Sequence, residues 1–389
     1  MKIVHINTFS NKSTGTIMMN IHNELTRQGE ESYVVWGRGR KEKKEHEIYM
    51  NDKLGVYFHG IYTRLTDKTG FASTRATKKL IKKLELINPD IIHLHNLHGY
   101  YINLELLFNY IKENNVKVIW TFHDCWPFTG HCPHFEYVGC EKWKTECHKC
   151  PQLSRYPKSF MDNSNWNYLK KKELFTGLDI TIVTPSNWLS LLVKKSFLKD
   201  YPVLVINNGI NTEIFKPRKS DFRKKYNLEN KKVILGVASD WTERKGLNDF
   251  INLSKVISED EVIVLVGLSD KQLKQLPNNM IGIKRTESQV ELAEIYSDAD
   301  IFFNPTYEDN YPTVNLEAIS CGTFVATYNT GGATEMINSD NGVVTTFDDF
   351  CKNYKNYLKL KSLVNSFYDN KNMINEYINA YKKMIDKVE

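Results

Sequence analysis

The chain has 389 residues, which is more than one ordinary hydrophobic core holds, and it therefore predicts two domains. Hydrophobic residues make up 41% and charged residues 25%, as in soluble globular proteins, and no apolar run approaches the roughly 18 residues of a membrane span. The formal charge of +6 is unevenly spread, because residues 1–200 carry 29 Lys and Arg against 20 Asp and Glu, a net of +9, and the remainder has a net of −3.

The start of the chain and its cysteines bear on the compartment. The first residues, MKIVHIN, enter a strand pattern directly, without the apolar core of a signal peptide, so we expect a cytosolic protein. Seven cysteines in a reducing compartment argue against a disulfide framework. The basic first half, with clusters at Arg38–Lys44, Lys78–Lys83 and Lys170–Lys172, has two interpretations: a face for anionic lipid headgroups or a pyrophosphate-linked acceptor, or a solvated lysine-rich surface.

Strand-like runs alternate with amphipathic helical stretches along the chain. Apolar strands that alternate with helices are typical of parallel sheets covered on both faces, so we predict an α/β fold of two doubly wound domains with a cleft between them. The twelve runs are Lys2–Ile6, Tyr33–Trp36, Ile91–Leu94, Val116–Phe122, Ile180–Val183, Val203–Ile206, Val233–Val237, Val262–Val266, Ile281–Ile283, Ile301–Phe303, Phe324–Ala326 and Val343–Thr346.

A polar loop, Ser10–Thr16, follows the first predicted strand. Gly15 would let the backbone approach a ligand closely, and Thr16 lies beside it at the predicted start of a helix. The loop lacks the G-x-G-x-x-G dinucleotide fingerprint. We place Gly15 and Thr16 in an acceptor or donor loop, and the alternative is a plain left-handed turn at Gly15.

The predicted strand Val116–Phe122 leads directly into His123 and Asp124. Both residues should therefore lie at the carboxyl end of the sheet, where ligands bind in such folds. A histidine there can donate to a sugar hydroxyl or a phosphate. The alternative is a buried structural histidine.

Five cysteines lie within the 26 residues that follow. Cys147 and Cys150 form a C-x-x-C pair with metal-ligand spacing, and Cys132 and Cys140 could complete four thiolates for a structural zinc ion. The substitute ligands are His131, His134 and His148. Free thiols or a disulfide pair are the alternatives. A catalytic zinc is not expected, because neither an H-E-x-x-H nor a deaminase pattern is present.

The most informative stretch of the second half is YEDNYPTVNLEAISCG, residues 307–322. Thr313 is expected to cap a helix that Gly322 ends. Backbone N–H groups of Val314, Asn315 and Leu316 would then point into the preceding turn, where they and the helix dipole favour a phosphate.

Carboxylates lie on both sides of that helix start. Glu308 and Asp309 precede it, and Glu317 lies within the helix. Because carboxylates repel phosphate, they are better suited to hydroxyl groups of a ribose or a sugar. A phosphate between two polyols describes a nucleotide sugar. The alternative is an acidic, solvated helix start.

Basic residues and glycines follow other strands of the second half. Arg244 and Lys245 come after the strand Val233–Val237, where cations would meet a diphosphate, unless they belong to a solvated turn. Gly267 follows the strand Val262–Val266, and we assign it to the nucleotide site. Gly331 and Gly332 would let backbone N–H groups approach a sugar or phosphate.

The segments INNGIN, ERKG, ADIFFNPTYEDNYPTVNLEAISCG and TGGATE, in this order, resemble the retaining GT-B glycosyltransferases of glycosyltransferase family 4. The segment HDCWPFTGHC, with the cysteines after it, is similar to a subgroup from colanic acid and capsule assembly. The resemblance implies an acceptor domain over residues 1–208 with a Cys-rich loop at 125–150, a nucleotide-sugar domain over 209–365, and a final helix over 366–389 that returns to the first domain.

The resemblance also implies roles for single residues. The two acidic residues of the family, separated by seven residues, correspond to Asp309 for the donor sugar and Glu317 for the ribose, with Glu308 as a second acid beside Asp309. The Arg that often precedes the family's Lys corresponds to Asp240 here, and Arg244 can supply that charge. Transfer with retention and without a catalytic metal follows from the resemblance.

The expected partners are a UDP- or GDP-sugar donor, a saccharide or a polyprenyl-pyrophosphate-linked acceptor, and the anionic inner face of a cell membrane in peripheral contact, with no nucleic acid. A sugar-nucleotide epimerase or another enzyme on the same scaffold is the alternative. A zinc-based binding module is disfavoured by the set of Arg244, Lys245, Asp309 and Glu317.

Overall fold

The structure is a computed structural model that describes residues 1–39, 44–50, 52–363 and 368–386. The chain divides into two units, of which the first contains residues 1–207 and the segment from 374 onward, and the second contains residues 208–373. The observed division lies one residue before the predicted boundary at 208. Residues 368–373, which the prediction assigned to the returning helix, group with the second unit. Residues 40–43 of the basic cluster Arg38–Lys44 lie outside the described residues.

The first unit is built on a seven-stranded parallel sheet in the order β3-β2-β1-β4-β5-β6-β7. This order, with the sheet growing outward in both directions from β1 and β4, is that of a doubly wound Rossmann-like domain. Its elements are β1 (Lys2–Phe9), α1 (Ser13–Arg27), β2 (Glu31–Arg38), β3 (Glu47–Tyr49), α2 (Lys53–Thr66), α3 (Thr74–Ile87), β4 (Ile91–Leu94), α4 (Leu104–Glu113), β5 (Lys117–Thr121), α5 (Ser164–Phe175), β6 (Ile180–Thr184), α6 (Asn187–Val193) and β7 (Val203–Val205).

The second unit has a six-stranded parallel sheet in the order β10-β9-β8-β11-β12-β13. Its elements are α7 (Phe222–Lys225), β8 (Lys232–Val237), α8 (Leu247–Leu253), β9 (Glu261–Val266), α9 (Asp270–Leu273), β10 (Met280–Ile283), α10 (Gln289–Asp298), β11 (Ile301–Asn304), α11 (Thr313–Ser320), β12 (Val325–Tyr328), β13 (Gly342–Thr345) and α12 (Phe347–Tyr357). The predicted fold class of two parallel-sheet, Rossmann-like domains is confirmed.

All twelve predicted strands are present, because a parallel strand covered on both faces is a contiguous apolar run. The sequence prediction missed β3, a three-residue strand that pairs with β2 from Val34↔Glu47 onward. A run as short as Glu47–Tyr49 carries no measurable periodicity. It forms because β2 offers it a free edge.

The last helix, α13 (Asn370–Asp386), lies against the sheet of the first unit over its second half. Tyr381 is hydrogen bonded to His93 of β4 at 2.7 Å, and Tyr377 is hydrogen bonded to Thr121 of β5 at 3.1 Å. Both tyrosines are buried. Within the described residues, no helix is both long and apolar enough to cross a membrane.

Candidate functional site

The site of the second unit is set by the topology of its sheet. Strands β8 and β11 are neighbours, yet the chain continues from β8 to β9 on one side and from β11 to β12 on the other. Ligands of doubly wound sheets bind where the strand order reverses, beyond the carboxyl ends of the two strands. Here that place is formed by the loops at residues 238–246 and 305–312.

These two loops are joined through Arg244. Its carbonyl accepts a hydrogen bond from the Tyr307 N–H at 2.8 Å, and its guanidinium donates to the Glu308 carbonyl at 2.7 Å. The backbones also touch at Gly246, which has a φ of +74°, and a Cβ atom there would lie 2.2 Å from the Pro305 carbonyl oxygen. Arg244 therefore holds the acidic loop in place, in addition to any phosphate it binds.

Lys245 and Asp309 form an ion pair between the loops. Both side chains are partly accessible, with 19% and 18% of their surface exposed, whereas Glu308 is only 2% exposed. Of the two acids that the sequence left open, Asp309 is the one a ligand can reach. The ion pair therefore brings together the basic loop at residues 238–246 and the acidic loop at residues 305–312, which the sequence assigned separately to the donor site.

A third loop supports Asp309 from behind. Gly331 has a φ of +53°, and a Cβ atom there would lie 1.9 Å from the Asp309 carbonyl oxygen. The Gly332 N–H donates to that same carbonyl at 3.0 Å. The expectation that the Gly332 N–H would point at a ligand is therefore wrong, because this group is used to position Asp309.

Helix α11 begins one residue away from the expected cap. Pro312 occupies the N-cap position, Thr313 is the first helical residue, and no side chain caps the helix. Among the described residues, no acceptor lies within reach of the Thr313 and Val314 N–H groups. The Asn315 N–H instead donates to the Pro312 carbonyl at 3.2 Å. Anion binding at this helix start is therefore left to Thr313 and Val314.

The Asn315 side chain has a structural partner on each side. It is fully buried, accepts a hydrogen bond from Asn304 at 2.8 Å and donates to the Ala333 carbonyl at 3.2 Å. These bonds tie α11 to the end of β11 and to the Gly331 loop. The side chain of Asn315 therefore places the helix, and its role in nucleotide binding stays a prediction.

Glu317 lies within α11, as predicted, in its second turn. Its carboxylate accepts a hydrogen bond from the Tyr296 hydroxyl of α10 at 3.1 Å. The residue is partly exposed, and the surrounding protein removes much of the water from its carboxyl group. Burial raises the pKa of Glu317 to about 7, although the hydrogen bond from Tyr296 acts in the opposite direction.

Gly267 lies at the end of β9, next to the loop after β8. It has a φ of +100°, and a Cβ atom there would lie 1.6 Å from the Ala238 carbonyl oxygen. Its N–H donates to the Ile283 carbonyl at 2.9 Å. Gly267 thus allows the close approach of these backbones at the edge of the site.

In the first unit, Gly15 and Thr16 belong to helix α1, which begins at Ser13, earlier than expected. Gly15 is not in a left-handed turn, since its backbone is helical. A Cβ atom at Gly15 would lie 2.4 Å from the Phe9 carbonyl oxygen. The glycine is needed because the end of β1 and the start of α1 are in close contact.

His123 and Asp124 lie at the carboxyl end of β5, as predicted. Burial lowers the pKa of His123 to about 4, so its ring is neutral at pH 7, and it is hydrogen bonded to His95 at 3.1 Å. Burial alone would raise the pKa of Asp124, but the charge and the 2.8 Å hydrogen bond of His98 outweigh it, and the pKa is about 2. Asp124 also accepts the Trp126 N–H at 2.9 Å.

Behind His123, the rings of His5, His93 and His95 are buried together with donor atoms within 4.8 Å of one another. The ring planes of His5–His93 and His93–His95 are tilted, at 48° and 31°, and those of His5–His95 are stacked at 23°. Both nitrogens of His93 already bond to Tyr381 and Thr121. Because His93 has no nitrogen left for a metal ion, we interpret this trio as packed neutral imidazoles rather than as a metal site.

The histidine trio predicts acid sensitivity of the first unit. Burial lowers the pKa values of His5, His93 and His95 below 6.5, so the unfolded state binds more protons as the pH falls. The free energy of unfolding should be constant above about pH 6.5. Below that pH it should fall by up to about 1.4 kcal/mol per pH unit for each histidine that stays neutral in the folded protein. In urea unfolding at several pH values, the free energy of unfolding should decrease less steeply with falling pH for His5→Leu than for the wild type. An unchanged slope would contradict this, and exposed His148→Gln is the control.

The four predicted zinc ligands Cys132, Cys140, Cys147 and Cys150 line one small cavity of about 10 Å³. None of the seven cysteines forms a disulfide, which excludes the disulfide alternative in this structure. Burial raises the pKa of the Cys147 thiol to about 11, although the Gly130 N–H, which donates to its sulfur at 3.2 Å, acts in the opposite direction. Among the described residues, only the histidine trio has three donor atoms all within 4.8 Å, so the thiols would need to move closer together to bind one ion.

The loop that carries these cysteines is held by a buried cation. Lys171 of α5 is 1% exposed, donates to the Trp126 and Thr129 carbonyls at 2.7 and 3.0 Å, and lies over the Trp126 ring. Burial lowers the pKa of Lys171 to about 7. The sequence placed Lys170–Lys172 on a basic surface, and for Lys171 this is wrong.

The family follows from a comparison of the whole chain with known proteins. Residues 14–214, about half of the chain, match the profile of Glycosyltransferase Family 4, and residues 218–384 match that of Glycosyl transferases group 1. The chain belongs to glycosyltransferase family 4. The first profile covers most of the first unit and the second covers most of the second unit, so both parts of this glycosyltransferase have relatives.

Among the relatives of this glycosyltransferase is the putative colanic acid biosynthesis glycosyl transferase WcaC of Escherichia coli K12, 24% identical over 95% of this chain and 96% of that protein. An N,N'-diacetylbacillosaminyl-diphospho-undecaprenol alpha-1,3-N-acetylgalactosaminyltransferase of Campylobacter jejuni is 28% identical over 36% of this chain and 40% of its own length. HepE of Anabaena in complex with UDP-glucose has a similar fold, with a TM-score of 0.67, 14% identity and coverage of 98% and 100%. The GT-B fold is thereby shown.

The sequence-based prediction missed two residues of the candidate sites, Tyr296 and His98. Tyr296 is one aromatic residue in an amphipathic helix, and only the fold brings it to Glu317. His98 belongs to the histidine-rich segment HLHNLH, residues 93–98, and that density of histidines was a signal the sequence analysis did not use. In the structure, His98 is hydrogen bonded to Asp124, and His95 is hydrogen bonded to His123.

Proposed function

We propose that this protein is a retaining glycosyltransferase that moves a sugar from a nucleotide sugar to a saccharide acceptor in the synthesis of a bacterial surface polysaccharide. The observation that carries the proposal is the ion pair of Lys245 and Asp309 in the loop that leads into the uncapped start of α11, at the reversal point of the second sheet. A cation and free N–H groups suit a diphosphate, and Asp309 and Glu317 suit the hydroxyl groups on either side of it.

The leaving diphosphate is stabilised by charges of the protein. Lys245, Arg244 and the N–H groups of Thr313 and Val314 would meet the negative charge that develops as the sugar–oxygen bond breaks. We propose that no catalytic metal is used. Turnover should therefore be the same with and without added Mg²⁺ or Mn²⁺.

Retention is proposed to proceed on one face of the sugar. The bond from the anomeric carbon to the diphosphate breaks, the bond to the acceptor oxygen forms on the same face, and the acceptor proton passes to the leaving phosphate oxygen. Asp309 is paired with the Lys245 ammonium, which makes it a poor nucleophile. The NMR coupling of the anomeric proton in donor and product distinguishes retention from inversion.

The donor is tested directly by ligand-induced stabilisation. UDP-, GDP- and dTDP-sugars are compared by thermal shift, because a ligand that binds the folded state raises its melting temperature. HepE was solved with UDP-glucose, which supports a UDP-sugar as the first donor to examine. Donor turnover without any acceptor, to an epimeric nucleotide sugar, would contradict the proposal in favour of an epimerase.

The acceptor is proposed to bind to the first unit and to be linked to a polyprenyl pyrophosphate at an anionic membrane. His123 and Asp124, with Gly15 and Thr16 at the start of α1, are the residues proposed for this side. The Campylobacter relative is named for a diphospho-undecaprenol acceptor, which supports a lipid-linked saccharide. The net charge of +9 on residues 1–200 supports contact with anionic headgroups.

We further propose that Cys132, Cys140, Cys147 and Cys150 bind a structural zinc ion. The two 3-10 turns at Trp126–Phe128 and Lys142–Lys144 are the regular structure of this loop between β5 and α5 within the described residues, so a metal crosslink would supply stability that the local structure lacks. The ion would shape the acceptor side without taking part in the reaction.

The zinc proposal predicts about one equivalent of zinc in the purified, untagged protein. Cys147→Ser should lower the zinc content and make residues 125–163 sensitive to protease, while UDP binding in the second unit is unchanged. Cys351→Ser is the matched control, since Cys351 lies in α12, outside the cavity. Less than about a tenth of an equivalent of zinc, with all seven thiols titratable in the native protein, would rule the site out.

A further inference from the structure

Helix α2 exposes a continuous row of large apolar side chains. We call this row the apolar stripe, and its exposed fractions run from 36% to 73%. At about 100° per residue, its members fall within an arc of about 140° on one side of the helix. They are Leu54, Tyr57, Phe58, Ile61, Tyr62 and Leu65.

The helix is the reverse of an ordinary amphipathic helix. On the side opposite the apolar stripe, His59 and Thr63 are buried. His59 is hydrogen bonded to the Ser73 hydroxyl at 2.8 Å and accepts the Gly70 N–H at 3.1 Å. Val56 is the apolar residue of this buried side that packs against the core, whereas the larger apolar side chains are exposed. Large exposed apolar patches of this kind mark sites of contact with another surface.

A neighbouring loop extends the apolar stripe. Phe160 and Met161 are 69% and 56% exposed. The Phe160 N–H donates to the Arg64 carbonyl at 2.8 Å, which fixes this loop at the last turn of α2. The apolar surface therefore continues beyond the helix.

The charge around the apolar stripe is strongly positive. Residues 53–87, which include α2 and α3, contain eight Lys and Arg and two acidic residues, a net of +6 that equals the charge of the whole chain. One of the two acids, Asp67, is fully buried against His131. Helix α2 has no acidic residue, and α3, which starts beside it, exposes Arg75, Lys78, Lys79, Lys82 and Lys83.

We propose that the apolar stripe inserts into the surface of a lipid bilayer that carries anionic headgroups, with α2 lying in the plane of the membrane. Leu, Ile and Phe side chains would enter the acyl boundary, the tyrosines suit the interface, and the basic residues of α3 would meet the headgroups. A second copy of this chain fits less well, because it would bring two segments of charge +6 together.

This inference deepens the membrane contact proposed above, and it does not depend on the reaction. It gives the enzyme a fixed attachment from its first unit to the surface that would hold a lipid-linked acceptor. Binding to vesicles and binding of UDP can be measured separately, so the failure of one proposal does not entail the failure of the other.

The test is co-sedimentation of the full chain with extruded vesicles of phosphatidylcholine, with or without a third of phosphatidylglycerol. Wild-type protein should bind the anionic vesicles. Leu54→Ser/Phe58→Ser keeps the charge and replaces two exposed side chains, so it should reduce the vesicle partition by at least about tenfold. The control Leu191→Ser/Val256→Ser replaces apolar side chains of 57% and 53% exposure elsewhere, and should bind as the wild type does.

The electrostatic contribution to vesicle binding is tested with the triple variant Lys78→Gln/Lys79→Gln/Lys82→Gln. This variant should lose most of the dependence on phosphatidylglycerol and on salt between about 0.1 M and about 0.5 M. Equal sedimentation of the stripe variant and its control would overturn the proposal. So would a wild-type dimer in gel filtration that the stripe variant alone dissociates, because the partner would then be a second copy. UDP-induced thermal shifts should be the same in all variants, which shows that each is folded.

Discussion

Replacing Lys245 with alanine is expected to lower turnover by about 10²–10³-fold, as the loss of one charge-stabilising group in an active site commonly does. The ammonium is held at the carboxyl end of the second sheet by Asp309, where it would meet the diphosphate. Charge accumulates on the diphosphate only as the bond to the sugar breaks, so kcat should fall much more than the affinity for UDP. Steady-state kinetics and calorimetry with UDP separate the two effects.

The matched control for this variant is Lys232→Ala. Lys232 also pairs with an aspartate, Asp300, but at the start of β8, the opposite edge of the sheet. It should leave turnover unchanged. Lys245→Arg, which keeps the charge but not the shape, should restore only part of the activity. Turnover of Lys245→Ala within twofold of the control would remove Lys245 from the reaction.

Much of the fold was predictable because local and global signals agree in this chain. Buried parallel strands are contiguous apolar runs, and the turns at Gly246 and Gly322 have the positive φ that glycine favours, +74° and +84°. The segment Glu47–Tyr49 was missed because its strand structure comes from the edge of β2 rather than from its own pattern. Local sequence cannot report such a long-range cause.

The candidate site was predictable only as separate parts. Lys245, Asp309 and Glu317 were each recognised from loops after strands, but their partners lie far away in the sequence. The Lys245–Asp309 pair spans 64 positions, and the Tyr296–Glu317 hydrogen bond depends on the packing of α10 against α11. The expected cap at Thr313 failed because Pro312, with a fixed φ, suits the N-cap position and starts the helix.

For helix α2, the sequence predicts the helix but not which of its faces is buried. The segment Lys53–Thr66 has an apolar pattern at helical spacing, which in isolation indicates a core-facing helix. The pattern alone does not decide which face is buried. The hydrogen bonds of His59 to Ser73 and Gly70 lie on the buried face of the helix, and the apolar stripe therefore faces outward.

Replacing Glu317 with glutamine is expected to have effects of opposite sign on binding and on stability. The ionised carboxylate can accept two hydrogen bonds from a ribose diol, and the loss of a charged hydrogen bond costs about 1.5–3 kcal/mol, roughly 10- to 150-fold in affinity for UDP. In the free protein, burial raises the pKa of Glu317 to about 7, so its ionisation opposes folding. UDP affinity of the wild type should therefore increase as the pH rises through about 7.

The stability effect has a defined pH range. Because the folded pKa is raised above its ordinary value of 4.5, the cost of ionisation is absent below pH 4.5, grows between 4.5 and 7, and is complete above 7. Glutamine keeps an acceptor for the Tyr296 hydroxyl and has no charge. Glu317→Gln should therefore be more stable than the wild type by about 2–3 kcal/mol at pH 8 and equal to it near pH 4.5.

Urea unfolding of the second unit at both pH values checks this, with the exposed Glu259→Gln as the control. A gain in stability that persists at pH 4.5 would show that ionisation is not its cause. Unchanged UDP affinity would separate Glu317 from the ribose. Both effects together would mean that the protein keeps a destabilising buried acid for the ligand, since the site needs a carboxylate that only the bound ribose can fully satisfy.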